Sequence, residues 1–274
     1  MAANTKPTLV IIHGGWHTPA SYKALTESLQ SEGYEVHCPL LPSTEDVRPP
    51  TADLYSDTYY VRGYVECLLQ EGRTVVAVMH SYGGHVGSNA LYDLGVDKRA
   101  VKGLKGGISH LIYLSGYAVP EGEPTLKTVE DEGDQDFMDI AFPQTDKDKG
   151  DEKTRFPADP YGYVVGAAPE GADVEAYVKT WVKWNGECMY QPSTHAAWRE
   201  MPVSYIFTTK DSTVPIGYQQ GFVEKMKQNG RKMEHTIEIA SGHCANFTAT
   251  QEVVDAIVKI TSSSGKTATD KGEE

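Results

Sequence analysis

Thr74-Val75-Val76-Ala77-Val78-Met79-His80-Ser81-Tyr82-Gly83-Gly84 reads as a buried strand, a tight turn and the start of a helix. The run 74–78 is mostly β-branched and apolar without alternation, which suits a strand covered on both faces. From Gly83 to Leu94 the pattern suits a helix whose first residues are small. A serine pinched between such a strand and helix is the setting of a nucleophile elbow, which exposes the hydroxyl at the carboxyl end of a parallel sheet. The usual pattern is G-x-S-x-G, and Met79 occupies the first glycine position. Met79 is large for that place, so its surroundings have to adapt. Taken alone, the run also fits a glycine-bearing strand-to-helix turn with no chemistry.

Three further stretches extend the reading. Near the N-terminus an apolar strand, Thr8-Leu9-Val10-Ile11-Ile12, runs into His13-Gly14-Gly15-Trp16. Glycines after a strand let backbone N–H groups face a cavity. An acyl-transfer site needs such donors for its oxyanion, one from this loop and one from the residue after the nucleophile, here the amides of Gly15 and Tyr82. Farther on, the strand Pro202–Thr208 leads to Asp211, with Pro215 opening the next helix. A turn or capping aspartate is the plain alternative. Last, the strand Glu234–Ile239 leads to Gly242-His243-Cys244. The order Ser81, Asp211, His243, each after a strand, is what nucleophilic catalysis on an open α/β sheet requires.

The rest of the chain alternates strand and helix. Strands are expected at residues 8–13, 34–38, 74–79, 108–114, 202–208 and 234–239, and helices near 21–32, 58–70, 83–94, 216–228 and 251–260. The fold class is therefore α/β, a mainly parallel sheet of about six strands with helices on both faces. Residues 1–117 and 201–261 form the core, 118–200 an inserted cap, and 262–274 a disordered tail. Between Phe137 and Trp198 lie ten aromatic residues, most expected to pack and a few to line an apolar pocket. Trp16, His17, Trp181 and Trp184 are candidates for substrate contact. A helix is expected over residues 173–184, since Val174, Tyr177, Val178, Trp181 and Val182 recur at helical spacing. Within Glu121–Lys153 twelve acidic residues meet four lysines; this reads as a solvated, flexible flap, with a cation site as the alternative.

The net charge of −13 argues against nucleic acid and anionic membranes as partners. No apolar run approaches the length of a membrane span, and the first residues lack the apolar core of a signal peptide. Cys38, Cys67, Cys188 and Cys244 form no C-x-x-C pair and read as free thiols in a cytoplasmic protein. Neither metal-ligand spacing nor a G-x-G-x-x-G loop is present, so no metal or nucleotide cofactor is expected. A homodimer is one expectation among several for the oligomeric state.

Together, Ile12-His13-Gly14-Gly15-Trp16, His80-Ser81-Tyr82-Gly83-Gly84, Thr209-Lys210-Asp211 and Gly242-His243 resemble the α/β-hydrolase superfamily. The nearest branch is that of plant methylesterases and hydroxynitrile lyases with related fungal and bacterial esterases. The resemblance covers roughly residues 8–118 and 190–260. It implies a Ser81-Asp211-His243 triad, an oxyanion hole of Gly15 and Tyr82, and no cofactor. The implied activity is hydrolysis of a small, largely neutral ester or lactone. A C–C lyase or cyclase on the same pocket, or a ligand receptor with a residual triad, are the alternatives. The lyases of the branch carry a lysine where this chain has Cys244, which counts against the first of these.

Overall fold

The computed structural model describes residues 6–131 and 136–264. In chain order the first half contains β1 (Thr8–Ile12), α1 (Lys23–Ser31), β2 (Val36–His37), α2 (Leu54–Gln70), β3 (Thr74–His80), α3 (Tyr82–Ala90), α4 (Val96–Val101) and β4 (Gly107–Leu114). An inserted segment follows, with α5 (Thr125–Asp131), α6 (Phe137–Ala141), β5 (Gln144–Asp146), β6 (Asp151–Arg155), α7 (Val174–Val178) and β7 (Trp184–Asn185). The chain then returns through β8 (Val203–Thr208), α8 (Ile216–Gln228), β9 (Met233–Ile239), α9 (Ala245–Thr248) and α10 (Thr250–Ser264).

Six strands form one parallel sheet in the order β2-β1-β3-β4-β8-β9. From β1 the chain turns to β2 on one side and then returns to β3 on the other. The loops after β1 and β3 therefore part at the carboxyl end of the sheet and leave a crevice, where open α/β sheets take their ligands. Alternate residues of β1 feed two cores. Val10 and Ile12 pack with Ala77, Met79 and α2, while Leu9 and Ile11 pack with Val76, Val78, α1 and α10. Both faces are covered, which explains why these strands lack alternation.

The elbow accommodates Met79 in an unusual way. A Cβ at Gly83 would collide with the carbonyl oxygen of Ile12, so the start of α3 passes directly over β1. One turn later a Cβ at Gly87 would collide with Met79 Sδ. The room that a small residue before the serine normally supplies is supplied here by the helix.

The inserted segment departs from expectation in two places. The helix foreseen over residues 173–184 stops at Val178. The Val182 amide is taken by the carbonyl of Trp16 at 2.8 Å, and Trp184 pairs with Arg155 in a small antiparallel sheet, β5-β6-β7. Tertiary pairing outweighs the helical spacing of the apolar residues. Within the acidic stretch, Asp146 and Asp151 are buried in that sheet rather than carried on a flexible flap. Asp146 accepts from Lys149 and Lys183, and Asp151 accepts from the Lys153 and Thr154 amides and from Thr154 Oγ1. Among the described residues no acidic or histidine cluster is arranged to hold a metal ion. At the C-terminus α10 runs to Ser264, so the first three residues expected to be disordered are helical; residues 265–274 lie outside the described residues. No helix among the described residues is long and apolar enough to cross a membrane.

Candidate active site

Ser81 stands between β3 and α3 with φ 54° and ψ −128°, a region that a residue with a side chain rarely adopts. Such a conformation costs about 1–3 kcal/mol and persists only where the surroundings over-determine it. Here they do. The Ser81 amide donates to the Leu114 carbonyl, and the Ser81 carbonyl accepts from the Gly84 and Tyr117 amides. Among the described residues no other group engages the Ser81 hydroxyl.

Asp211 follows β8 and His243 follows β9. The His243 Nδ1–H donates to Asp211 Oδ2 at 2.8 Å, and both side chains are buried. The carboxylate is satisfied on every side: Oδ2 also accepts from Thr208 Oγ1, and Oδ1 accepts from the Thr213 and Val214 amides, each at 2.8 Å. Four hydrogen bonds hold the buried carboxylate in one orientation. Behind it, Gln219 on α8 donates to Thr208 Oγ1, to the Thr208 carbonyl and to the Val214 carbonyl. Gln219 was not singled out in the sequence; a polar residue within an amphipathic helix carries no mark of such a role.

His80 was also missed as part of the site, and it ties three loops together. The Gly14 amide donates to Tyr22 Oη, Tyr22 Oη donates to His80 Nδ1 at 2.5 Å, and His80 Nε2–H donates to the His243 carbonyl at 2.9 Å. The carbonyl acceptor fixes the tautomer. Burial holds the His80 pKa well below its ordinary value, helped by the neighbouring His243 and His17. A neutral ring is what this chain of bonds needs. The Gly14 amide is spent on Tyr22, whereas the Gly15 and Tyr82 amides have no acceptor among the described residues. They are the two donors named from the sequence.

The four candidate contact residues differ in their surroundings. Trp16, at φ 62°, stacks on Phe142 with ring centroids 4.5 Å apart and donates from Nε1 to the Arg155 carbonyl. Trp184 lies against Gly15, where a Cβ would stand 3.0 Å from the indole, and faces the Tyr82 ring at 4.7 Å. Trp181 packs on His17 at 4.8 Å. His17 is walled in: its Nδ1–H donates to the Gly15 carbonyl, and its Nε2 lies 3.6 Å from Cys244 Sγ. Burial depresses its pKa to about 3. The inserted segment thus supplies an apolar roof directly over the loop that carries Gly15.

Comparison with known proteins bears on the family and the fold. A model described as the alpha/beta hydrolase family matches residues 9–256. A probable hydrolase, R7, from a Phoma species is 28% identical over 262 residues, 93% of this chain and 98% of that protein. In fold, the chain resembles a pyrethroid hydrolase from Sphingobium faniae, with TM-score 0.68 at 17% identity over 93% of this chain and 97% of that one. It likewise resembles the methylesterase MES16 from Arabidopsis, with TM-score 0.68 at 19% identity over 93% of this chain and 99% of that one. Spanning both the strained serine turn and the histidine loop, the matched region establishes that this chain belongs to the alpha/beta hydrolase family.

Proposed function

We propose that the protein is a serine esterase acting on a small, largely neutral carboxylic ester or lactone through an acyl-enzyme. The observation that carries this reading is the buried Asp211–His243 pair, bonded at 2.8 Å at the same end of the sheet as the strained Ser81. In this reading His243 Nε2 takes the proton from Ser81 Oγ as that oxygen attacks the carbonyl carbon. Asp211 holds the ring in the Nδ1–H tautomer and stabilises the imidazolium. The Gly15 and Tyr82 amides receive the oxyanion, and loss of one such donor typically costs about 3 kcal/mol. His243 then protonates the departing alkoxide and activates the water that releases the acid. The indole and phenyl surfaces of Trp16, Phe142 and Trp184 favour an apolar substrate.

The test is hydrolysis of p-nitrophenyl esters of rising chain length and of simple lactones by wild type and Ser81→Ala. Wild-type turnover that disappears in the variant supports the reading. Full activity in folded Ser81→Ala refutes it. Running the reaction in labelled water separates hydrolysis, which places label in the acid, from C–C cleavage or cyclisation, which does not.

A further inference from the structure

Beneath the proposed oxyanion pocket lies a buried carboxyl group that the mechanism above does not use. Asp57, on α2, is fully buried. Its Oδ1 accepts from the Ser43 amide at 2.8 Å. Its Oδ2 accepts from Ser43 Oγ at 2.6 Å and from Tyr82 Oη at 2.7 Å. Ser43 Oγ in turn accepts from Trp184 Nε1 at 2.9 Å. The ionisable groups around the carboxyl are Tyr82 from α3, Cys188 from the turn after β7, and Asp53 at the start of α2. Among the described residues no cation pairs with it. Burial pushes its pKa up to about 7. Placing a carboxyl there costs stability, so packing alone does not explain it.

Its two arms lead to the two proposed oxyanion donors. One arm is the Tyr82 side chain, whose own backbone amide is a donor. The other runs through Ser43 to Trp184, whose ring face is what the Gly15 backbone rests on. We propose that Asp57 is a positioning residue for the oxyanion pocket, fixing the Tyr82 amide through Tyr82 Oη and the Gly15 amide through Ser43 and Trp184. The inference rests on the esterase reading. It gives the carboxyl a reason to be buried: hydrogen bonds that aim donors at a transition state act in the low-dielectric interior, where small displacements are costly.

The experiment compares wild type, Asp57→Asn, Tyr82→Phe and Trp184→Phe with the best ester from the chain-length series. A trifluoromethyl ketone of the same chain length serves as the oxyanion probe, since addition of Ser81 Oγ to its carbonyl creates an alkoxide in the pocket. Expected is a fall in kcat of about 10–100-fold for Asp57→Asn with KM within threefold, and a rise of the same factor in the ketone inhibition constant. Tyr82→Phe and Trp184→Phe each cut one arm, so each gives a smaller loss of the same kind, and they decide the matter should Asp57→Asn not fold. Wild-type kcat in folded Asp57→Asn or in Tyr82→Phe overturns the proposal, as does a rise in KM with an unchanged ketone constant. Ser81→Ala separates the two levels. Activity that survives in it sinks the esterase reading; activity lost in it but kept in Asp57→Asn sinks only the role of Asp57.

Discussion

Asp211 shows how much of the site lies in residues that never touch a substrate. Its carboxylate accepts four hydrogen bonds, of which only the one from His243 takes part in the proposed reaction. Two consequences differ in size. Asp211→Asn keeps the shape but reverses a donor and acceptor pair, so the imidazole is held in the wrong tautomer. By analogy with other triads kcat should fall about 10⁴-fold, measured on p-nitrophenyl esters with the fold checked by circular dichroism. Thr208→Val removes only Oγ1, which donates to Asp211 and accepts from Gln219. It should lower kcat about tenfold and cost about 1–2 kcal/mol of stability by leaving the buried Asp211 Oδ2 one donor short, while both Gln219 N–H groups keep the Thr208 and Val214 carbonyls. Equal losses from the two variants would mean that Asp211 acts by packing rather than by orienting the ring. The placement of Ser81, Asp211 and His243 just beyond strand ends was legible because each follows a strand-like run and lies in a glycine- or turn-rich loop. Gln219, His80 and Asp57 were not. Their signal is a partner distant in the chain, and nothing in a local window distinguishes a buried histidine in a hydrogen-bonded chain from one that merely packs.

At the scale of elements, β3 and α3 are fitted to each other through a single exchange. Met79 stands where the elbow normally has a small residue, and Gly87 opens the facing turn of the helix. The pair should therefore be coupled. Gly87→Ala alone forces a methyl group against Met79 Sδ and should cost about 1–3 kcal/mol, despite the better helix propensity of alanine, worth up to about 1 kcal/mol. Met79→Ala alone empties a buried site and should cost about 2–5 kcal/mol. In the Met79→Ala background the space is vacant, so Gly87→Ala should be neutral or stabilising. Urea unfolding of the four proteins gives the coupling energy, expected at about 1–3 kcal/mol; simple additivity would show that α3 shifts to absorb the methyl. The central strands β1 and β3 were readable because burial on both faces writes an unbroken apolar, largely β-branched run into each. The segment between β4 and β8 was less so. Val174, Tyr177, Val178, Trp181 and Val182 do recur at helical spacing, but the Val182 amide goes to Trp16 and Trp184 pairs with Arg155. Those partners lie outside any local pattern. The same blindness made a flap of Asp146 and Asp151, whose lysine and amide partners bury them.

For the whole molecule, the distribution of buried imidazoles dictates how it responds to acid. Burial lowers the pKa of His13 and His110 to about 4 and of His17 and His85 to about 3, and holds His80 well below its ordinary value. The unfolded chain binds a proton at each near pH 6.5. Between the folded and unfolded values the unfolded state carries more protons, so stability rises with pH and is lost as pH falls below about 6.5. Asp57 opposes this. Its pKa is raised from 3.8 to about 7, so the native state holds the extra proton and acidification from pH 7 to 4 returns stability. One carboxyl does not balance five imidazoles. At two pH units below 6.5 each buried histidine costs roughly 2–3 kcal/mol, and the summed cost rivals the roughly 5–15 kcal/mol stability of a typical domain. Calorimetric Tm should therefore be level from about pH 8 to 7, fall steeply below 6.5, and reach cooperative unfolding at room temperature near pH 4.5. His110 Nε2 is hydrogen-bonded to Ser204 Oγ at 2.8 Å midway along β4, away from the strand ends that carry the candidate site, so His110→Gln tests the assignment without touching the chemistry. It should make the acid limb shallower by about one proton per molecule. An unchanged slope would remove His110 from the account, and a Tm that stays level down to pH 4.5 in the wild type would mean that these rings are reached by water and protonated in the folded protein.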